Sequence, residues 1–180
     1  MLYQFVKTEL IKILEKELGR SNHNSFPKLK KVVINCRVPE ARENQEALNK
    51  TIEEIATITG QKPLLCVAKK SVSSFKLRQN DPLAIKVTLR GQRMYDFVEK
   101  LFNLVLPRLR DFKGMPLSAF DGQGNYSLTI KDYTYFSEVN LDKISKIRPL
   151  QITMNISGSS NQEAKVLLSA LGFSFEKSDK

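Results

Sequence analysis

From Leu83 to Arg90 the chain alternates without a break: Leu83, Ile85, Val87 and Leu89 fall on one side, and Ala84, Lys86, Thr88 and Arg90 on the other. This period of two marks a half-buried strand, because successive side chains of extended backbone point to opposite faces. Any fold that contains it must cover one face with apolar groups and leave the other polar and basic. The alternation closes a longer segment, Ala68 to Gly91, which reads as two strands joined through Gln79-Asn80-Asp81-Pro82. Asn and Asp tolerate tight backbone angles and Pro82 cannot continue a central ladder, so the segment predicts a basic hairpin with a mobile turn. Lys69, Lys70, Lys76, Arg78, Lys86 and Arg90 stand there against Asp81 alone, half of the formal +10 of the whole chain.

The apolar cover is available. Of 180 residues, 41% are hydrophobic and 10 are Phe, enough for the core of one compact domain. The 29 Lys and Arg against 19 Asp and Glu point to a polyanionic partner. An anionic membrane fits poorly. No run approaches the roughly 18 apolar residues of a span, and the first 20 residues mix acids with bases, unlike a signal peptide. The reading is a soluble, intracellular protein. Cys36 and Cys66 form no CxxC pair and lie away from His23, the single histidine, so no metal site is expected and both thiols read as small buried hydrophobes in a reducing compartment. His23 sits in a polar linker and reads as a surface residue.

The remaining elements follow from periodicity and caps. Tyr3, Val6, Leu10, Ile13, Leu14 and Leu18 recur at helical spacing before Gly19. Val32-Val33-Ile34-Asn35-Cys36 is an apolar run suited to a central strand. Asn44 is an N-cap for a helix carrying Leu48, Ile52 and Ile55 and ending at Gly60. Met94, Phe97, Val98, Leu101, Phe102 and Val105 form one helical stripe that Pro107 ends or kinks. Arg108 to Gly124 is a long ordered loop, and loops of that length are often functional. Tyr126, Leu128 and Ile130, then Leu150, Ile152, Met154 and Ile156, alternate as strands, with a short helical turn from Asp142 to Ile147 between them. Ser160-x-x-Glu163 is a capping box for a last helix that buries Ala164, Leu167, Leu168 and Leu171 and stops at Gly172. The order predicts an α+β fold: a single-domain two-layer sandwich with a mostly antiparallel sheet of about five strands and helices on one face, a split β-α-β, ferredoxin-like elaboration. Residues 1–19 form an N-terminal helix, 26–172 the core and 173–180 a tail.

The uncovered face of such a sheet collects Lys86, Thr88, Arg90, Gln151, Thr153 and Asn155. Sheets that bind single strands place aromatic rings there, whereas these groups suit phosphates, 2′-hydroxyls and groove edges of structured RNA. Gln151, Thr153 and Asn155 equally suit a solvated face. Catalytic patterns are missing. Walker and GxGxxG loops are absent, Gly122-Gln123-Gly124 precedes a strand and reads as a turn, and His23 lies in no triad motif. An RNA-processing enzyme on the same basic surface lacks a visible catalytic set. A membrane-bound reading is weakened by Glu9, Glu15 and Glu17 in the first helix.

Seven blocks now become recognisable in order and spacing: Phe26-Pro27-Lys28-Leu29-Lys30-Lys31-Val32-Val33-Ile34-Asn35, Ile58-Thr59-Gly60-Gln61-Lys62-Pro63, Ala68-Lys69-Lys70-Ser71, Phe75-Lys76-Leu77-Arg78, Lys86-Val87-Thr88-Leu89-Arg90-Gly91, Leu106-Pro107-Arg108-x-Arg110-Asp111-Phe112 and Phe120-Asp121-Gly122-x-Gly124-Asn125-Tyr126. Together they resemble the large-subunit ribosomal protein number five family across nearly the whole chain. The resemblance implies a noncatalytic protein without cofactor, metal, membrane or small-molecule substrate, working in a bacterial or organellar ribosome. It implies as partners 5S rRNA in the central protuberance, 23S-type rRNA, P-site tRNA, small-subunit ribosomal protein thirteen across an intersubunit bridge, and neighbouring central-protuberance proteins. Carried over by position, the rRNA-binding residues are Lys31, Asn35, Gln61, Lys69, Lys70, Thr88 and Arg90. The tRNA-facing loop carries Phe75, Lys76, Arg78, Gln79 and Asn80, and the bridge candidates are Phe112, Lys113 and Met115. One departure stands out. Where the family continues Asn-x-Gly-x-Gly, this chain has Asn35-Cys36-Arg37-Val38-Pro39, so the local backbone must be rebuilt without glycine and Arg37 gains the option of a phosphate contact.

Overall fold

A computed structural model describes residues 2–20, 22–109, 112, 114–139, 146–158 and 160–176. In chain order the elements are α1 (Leu2–Leu18), β1 (Leu29–Arg37), α2 (Gln45–Thr59), β2 (Leu64–Val67), β3 (Pro82–Leu89), α3 (Gly91–Lys100), β4 (Tyr126–Ile130), β5 (Leu150–Ile156) and α4 (Asn161–Ala170). The strands form one sheet in the order β2-β3-β1-β5-β4. The crossover from β1 through α2 to β2 leaves a slot that β3 fills, which is the split β-α-β arrangement, and β1 takes the central place.

Cross-strand pairing gives the sense of β2 and β3. Leu64 lies opposite Lys86 and Cys66 opposite Ala84, so β2 and β3 are antiparallel. The Val38 N–H donates to Leu83 O at 3.0 Å beyond the end of β1, and the Ser157 N–H to Lys28 O at 2.8 Å before its start. The fold is the α+β sandwich that the element order predicts.

Within the apolar run of β1 the even positions Val32, Ile34 and Cys36 are buried, while Val33 is half-buried and Asn35 exposed. The apolar run therefore overstates burial: the strand is central yet keeps one polar side. The predicted hairpin needs a second correction. Its first strand ends at Val67, and residues 68–81 form a structured loop with a short 3-10 turn at Ser73–Phe75. Pro82 opens β3, opposite Val67 across a bulge, where its missing N–H interrupts no ladder.

The chain divides into two compact units. One comprises Met1–Val32, Arg90–Leu128 and Thr153–Lys180. There α1 packs on α3 and α4, burying Leu10, Leu14, Met94, Phe97, Leu167 and Leu168. The Ser160 hydroxyl accepts the Glu163 N–H at 3.3 Å, as the capping box predicts, and the Glu163 carboxylate takes the Arg20 guanidinium at 2.8 Å. Beyond α3 the backbone widens into a π turn at Leu101–Val105 and then tightens at Leu106–Arg108, because Pro107 has no N–H to continue the ladder.

The predicted tail is in part a structural element. Phe173 is buried, the Met115 N–H donates to Ser174 O at 2.8 Å, and the Glu176 N–H donates to Met115 O at 3.1 Å. Phe173 and Phe175 join Phe120 and Tyr126 in one cluster of rings. Burial, with Glu176 nearby, pushes the Tyr126 hydroxyl up to about 12. Residues 177–180 lie outside the described residues, as do Arg110, Asp111 and Asp142 to Ser145, which hold part of a family block and most of the predicted helical turn.

The other unit comprises Val33–Leu89 and Thr129–Ile152. Asn44 caps α2 by accepting the Ala47 N–H at 2.9 Å, and Gly60 ends it at φ +65°. The Tyr133 hydroxyl donates to Glu54 Oε2 at 2.7 Å, and burial followed by that carboxylate holds it well above its ordinary value. Arg148 is buried and pairs with Glu40 at 3.3 Å, while Lys146 binds the other carboxylate oxygen of Glu40. Burial pushes the Cys36 thiol up to about 11. Cys66 is half-exposed on β2, so only Cys36 is the buried hydrophobe that composition predicts for both.

Candidate nucleic-acid interface

β3 realises its predicted alternation. Ile85, Val87 and Leu89 are buried, Lys86 and Arg90 are exposed, and Thr88 is half-buried. On β1, Lys31 is half-buried while Asn35 and Arg37 are exposed. Gln61 is set by the end of α2. Its N–H reaches Thr59 Oγ1 at 3.4 Å, and its side-chain amide donates to Thr88 O at 3.2 Å. Two of the expected recognition residues are thus brought together, one fixing the orientation of the other.

Residues 68–81 follow as a laddered loop. Its base closes where the Ala68 N–H donates to Asp81 O and the Asn80 N–H to Ala68 O, both at 2.9 Å. Higher up, Val72 and Leu77 exchange backbone bonds, and the Gln79 N–H donates to Ser71 Oγ at 2.9 Å. Lys76 and Asn80 adopt left-handed backbone at φ +49° and +71°. The predicted turn is therefore tied at several levels. At its tip Phe75 is 77% exposed, with Lys76, Arg78, Gln79 and Asn80 also exposed.

The cations differ in whether an acid stands against them. Arg20, Arg42, Lys50, Lys146 and Arg148 have acidic partners. Lys31, Lys69, Lys70, Lys76, Arg78, Lys86 and Arg90 have none among the described residues. Lone exposed cations repel one another and are relieved by a polyanion, so this second set is what a phosphate backbone needs.

Other expected positions fare differently. Thr153 Oγ1 bonds to Ser127 Oγ at 3.2 Å, and the Asn155 amide donates to Asn125 Oδ1 at 2.8 Å. Those two side chains hold β4 to β5, and only Gln151 of that trio stands exposed without such a bond. Of the bridge candidates, Phe112 is half-buried and Lys113 lies outside the described residues. Met115 is fully buried, which corrects its placement as a bridge contact: its backbone pairs with Ser174 and Glu176, and these close over it. Where the family glycines are replaced, no described residue between Cys36 and Asn44 has a positive φ. Pro39 instead opens a 3-10 turn, Pro39–Arg42, at a position that needs no N–H donor.

Residues 22–78 match the family model described as Ribosomal protein L5, and residues 82–175 match the companion model for the C-terminus of that ribosomal family. The chain belongs to the ribosomal protein L5 family. It is 47% identical over 98% of both chains to large ribosomal subunit protein uL5 of Clostridium botulinum (strain Loch Maree / Type A3). The uL5 proteins of Thermoanaerobacter sp. (strain X514) and Caldanaerobacter subterraneus subsp. tengcongensis match at 47% and 46% identity, each over 94% of both chains. L5 proteins are structural, non-enzymatic components of the large ribosomal subunit, which agrees with the noncatalytic reading of the motifs. Among the described residues no cluster of His, Cys, Asp and Glu has metal-binding geometry, and no helix is long and apolar enough to cross a membrane. One residue of the L5 surface escaped sequence reasoning. Arg42, within Glu40-Ala41-Arg42-Glu43, belongs to no period and no motif, and only the fold brings it to the basic loop.

Proposed function

We propose that this chain binds 5S rRNA and helps attach it in the central protuberance of a bacterial, cytoplasmic large subunit. Lys31, Lys69, Lys70 and Arg90 supply phosphate affinity, and Asn35, Gln61 and Thr88 set the register. The observation that carries this reading is that the exposed cations Lys69, Lys70, Lys76, Arg78 and Lys86 have no acidic partner among the described residues, and that the Gln61 amide is held on Thr88 O of β3. The loop that presents Phe75, Lys76, Arg78, Gln79 and Asn80 faces P-site tRNA in the same proposal. The segment around Phe112 takes part in the bridge to small-subunit protein thirteen, and 23S-type rRNA and neighbouring proteins complete the surroundings.

The test is binding of 5S RNA against a size-matched structured RNA over a salt series, with the Lys69→Ala/Lys70→Ala double variant alongside. Preference for 5S RNA is expected, with the slope of log affinity against log salt falling by about 0.7 to 1 for each lysine removed. Equal binding to both RNAs would reduce the reading to a generic basic RNA-binding domain.

A further inference from the structure

Residues 68–81 are basic and long, and a loop with that much like charge spreads unless something inside the protein holds it. The ladder at its base involves Ala68, Asn80 and Asp81, and a second pair of bonds joins Val72 and Leu77. Beyond the second pair, at the tip, lies Lys76 in left-handed backbone, which an L side chain enters at a cost of about 1 kcal/mol or more, and between the two levels lies Arg78, whose N–H donates to Asp81 Oδ2 at 2.9 Å. The carbonyl of Lys76 and the carboxylate of Asp81 are acceptors that a cation from outside the loop can bridge.

Arg42 is that cation. Its guanidinium donates to Lys76 O and stands 3.5 Å from Asp81 Oδ2, so one side chain reaches both levels. Both contacts are made by one nitrogen, Nη1, which carries two N–H donors. The support beneath it is firm. Arg42 ends the Pro39–Arg42 turn, in which Val38 and Ala41 are buried, the Val38 N–H is bonded to Leu83 O, and Glu40 holds Lys146 and Arg148. Of the side chains in that turn, Arg42 is the one directed to the loop. Among the described residues Lys69, Lys70, Lys76 and Arg78 have no acidic partner, whereas Arg42, equally basic, is paired with Asp81.

We propose that Arg42 is a positioning residue that fixes the 68–81 loop in its presenting shape before any RNA arrives. The segment that replaces the family glycines thereby gains a role: its 3-10 turn, opened by Pro39, aims Arg42 at the loop. The effect on the free protein stands on the geometry alone. The effect on RNA rests on the reading of this loop as tRNA-facing.

Hydrogen exchange of the free full-length chain, wild type against Arg42→Ala and Arg42→Lys, tests it. In Arg42→Ala the amides of Val72, Leu77, Gln79 and Asn80 should exchange about tenfold faster or more, with those of Ile34, Leu48 and Val87 unchanged, and Arg42→Lys should restore part of the protection. Unchanged loop exchange overturns the proposal, and equal acceleration throughout overturns it too, since Arg42 then serves general stability. A second arm measures binding of a transfer RNA transcript and a 5S RNA transcript to the same variants. Loss of several-fold affinity for the transfer RNA alone supports both the proposal and the reading of the loop. Faster loop exchange with unchanged transfer RNA affinity keeps the positioning role and sinks the tRNA-facing reading.

Discussion

Two long loops, residues 68–81 and residues 112–124, carry the turn chemistry that marks a functional segment, yet the structure uses them in opposite ways. In the first, backbone bonds close the loop on itself and the side chains go outward, so Phe75 is 77% exposed and Lys76 and Arg78 near it lack acidic partners among the described residues. In the second, Met115 is buried and pairs with Ser174 and Glu176, while Phe120 enters the ring cluster with Tyr126 and Phe175. Gly114 shows how tight that docking is. A Cβ there would lie 2.6 Å from Glu176 N and 2.8 Å from Phe175 C, on a backbone at φ +123°. One loop is built to present side chains and the other to receive a chain end. Length and turn-forming residues are common to both, although only the second carries glycine and proline, so burial and pairing decide which is which.

The contrast can be broken most forcefully at the receiving loop. Phe173→Ala removes a buried ring from the cluster and should cost about 3 to 5 kcal/mol in chemical denaturation. A loss below 1 kcal/mol would mean that residues 173–176 are a tail after all. Gly114→Ala forces either the positive φ or the contact with residues 175 and 176 to give way. A loss of about 1 to 3 kcal/mol is expected from backbone strain alone, and a thermally unchanged variant would count against the docked geometry.

At the presenting loop the prediction reverses. Phe75→Ala exposes no cavity, so stability should stay within about 0.5 kcal/mol of wild type. Binding to an RNA that stacks on the ring should weaken by about 1 to 3 kcal/mol, read by titration against the transfer RNA transcript. Stability loss without binding loss would make Phe75 a packing residue and erase the difference between the loops.

What could be read in advance follows the range of the interaction. Alternation along β3 and β5, the Asn44 and Ser160 caps and the glycine stops at Gly60 and Gly172 are local, and they reappear in place. Partnership across the chain leaves no local trace. Met115 looks like a loop residue until Ser174 and Glu176 close on it, Thr153 and Asn155 look like a free polar face until Ser127 and Asn125 take them, and Arg42 looks like one charge among many. The apolar run Val32 to Cys36 misled in the other direction, because Val33 is apolar on the side that also carries Lys31 and Asn35. The residues proposed to face RNA rest on resemblance and charge density, and that they lack acidic partners among the described residues appears only with the fold.

The smallest effect concerns what shapes the end of the receiving loop. Asp121 accepts the N–H groups of Gln123 and Asn125 at 2.8 and 3.0 Å, and its other oxygen takes the Asn125 side-chain amide at 2.6 Å. These bonds, the Asn125 amide foremost, hold the carboxyl below the ordinary 3.8. A depressed carboxylate contributes stability that is present above its unfolded value and lost as pH falls through the lower folded value. Acid should therefore loosen the Asp121 to Asn125 turn below about pH 3.8, with the Gln123 and Asn125 amides losing exchange protection together. Asp121→Asn keeps an acceptor but cannot titrate, so the pH dependence of those two amides should flatten while Phe75 and its neighbours respond as in wild type. If the turn in wild type keeps its protection through that range, the carboxylate is not what shapes it, and the glycines at 122 and 124, with φ of +89° and +85°, are left to set the bend by themselves.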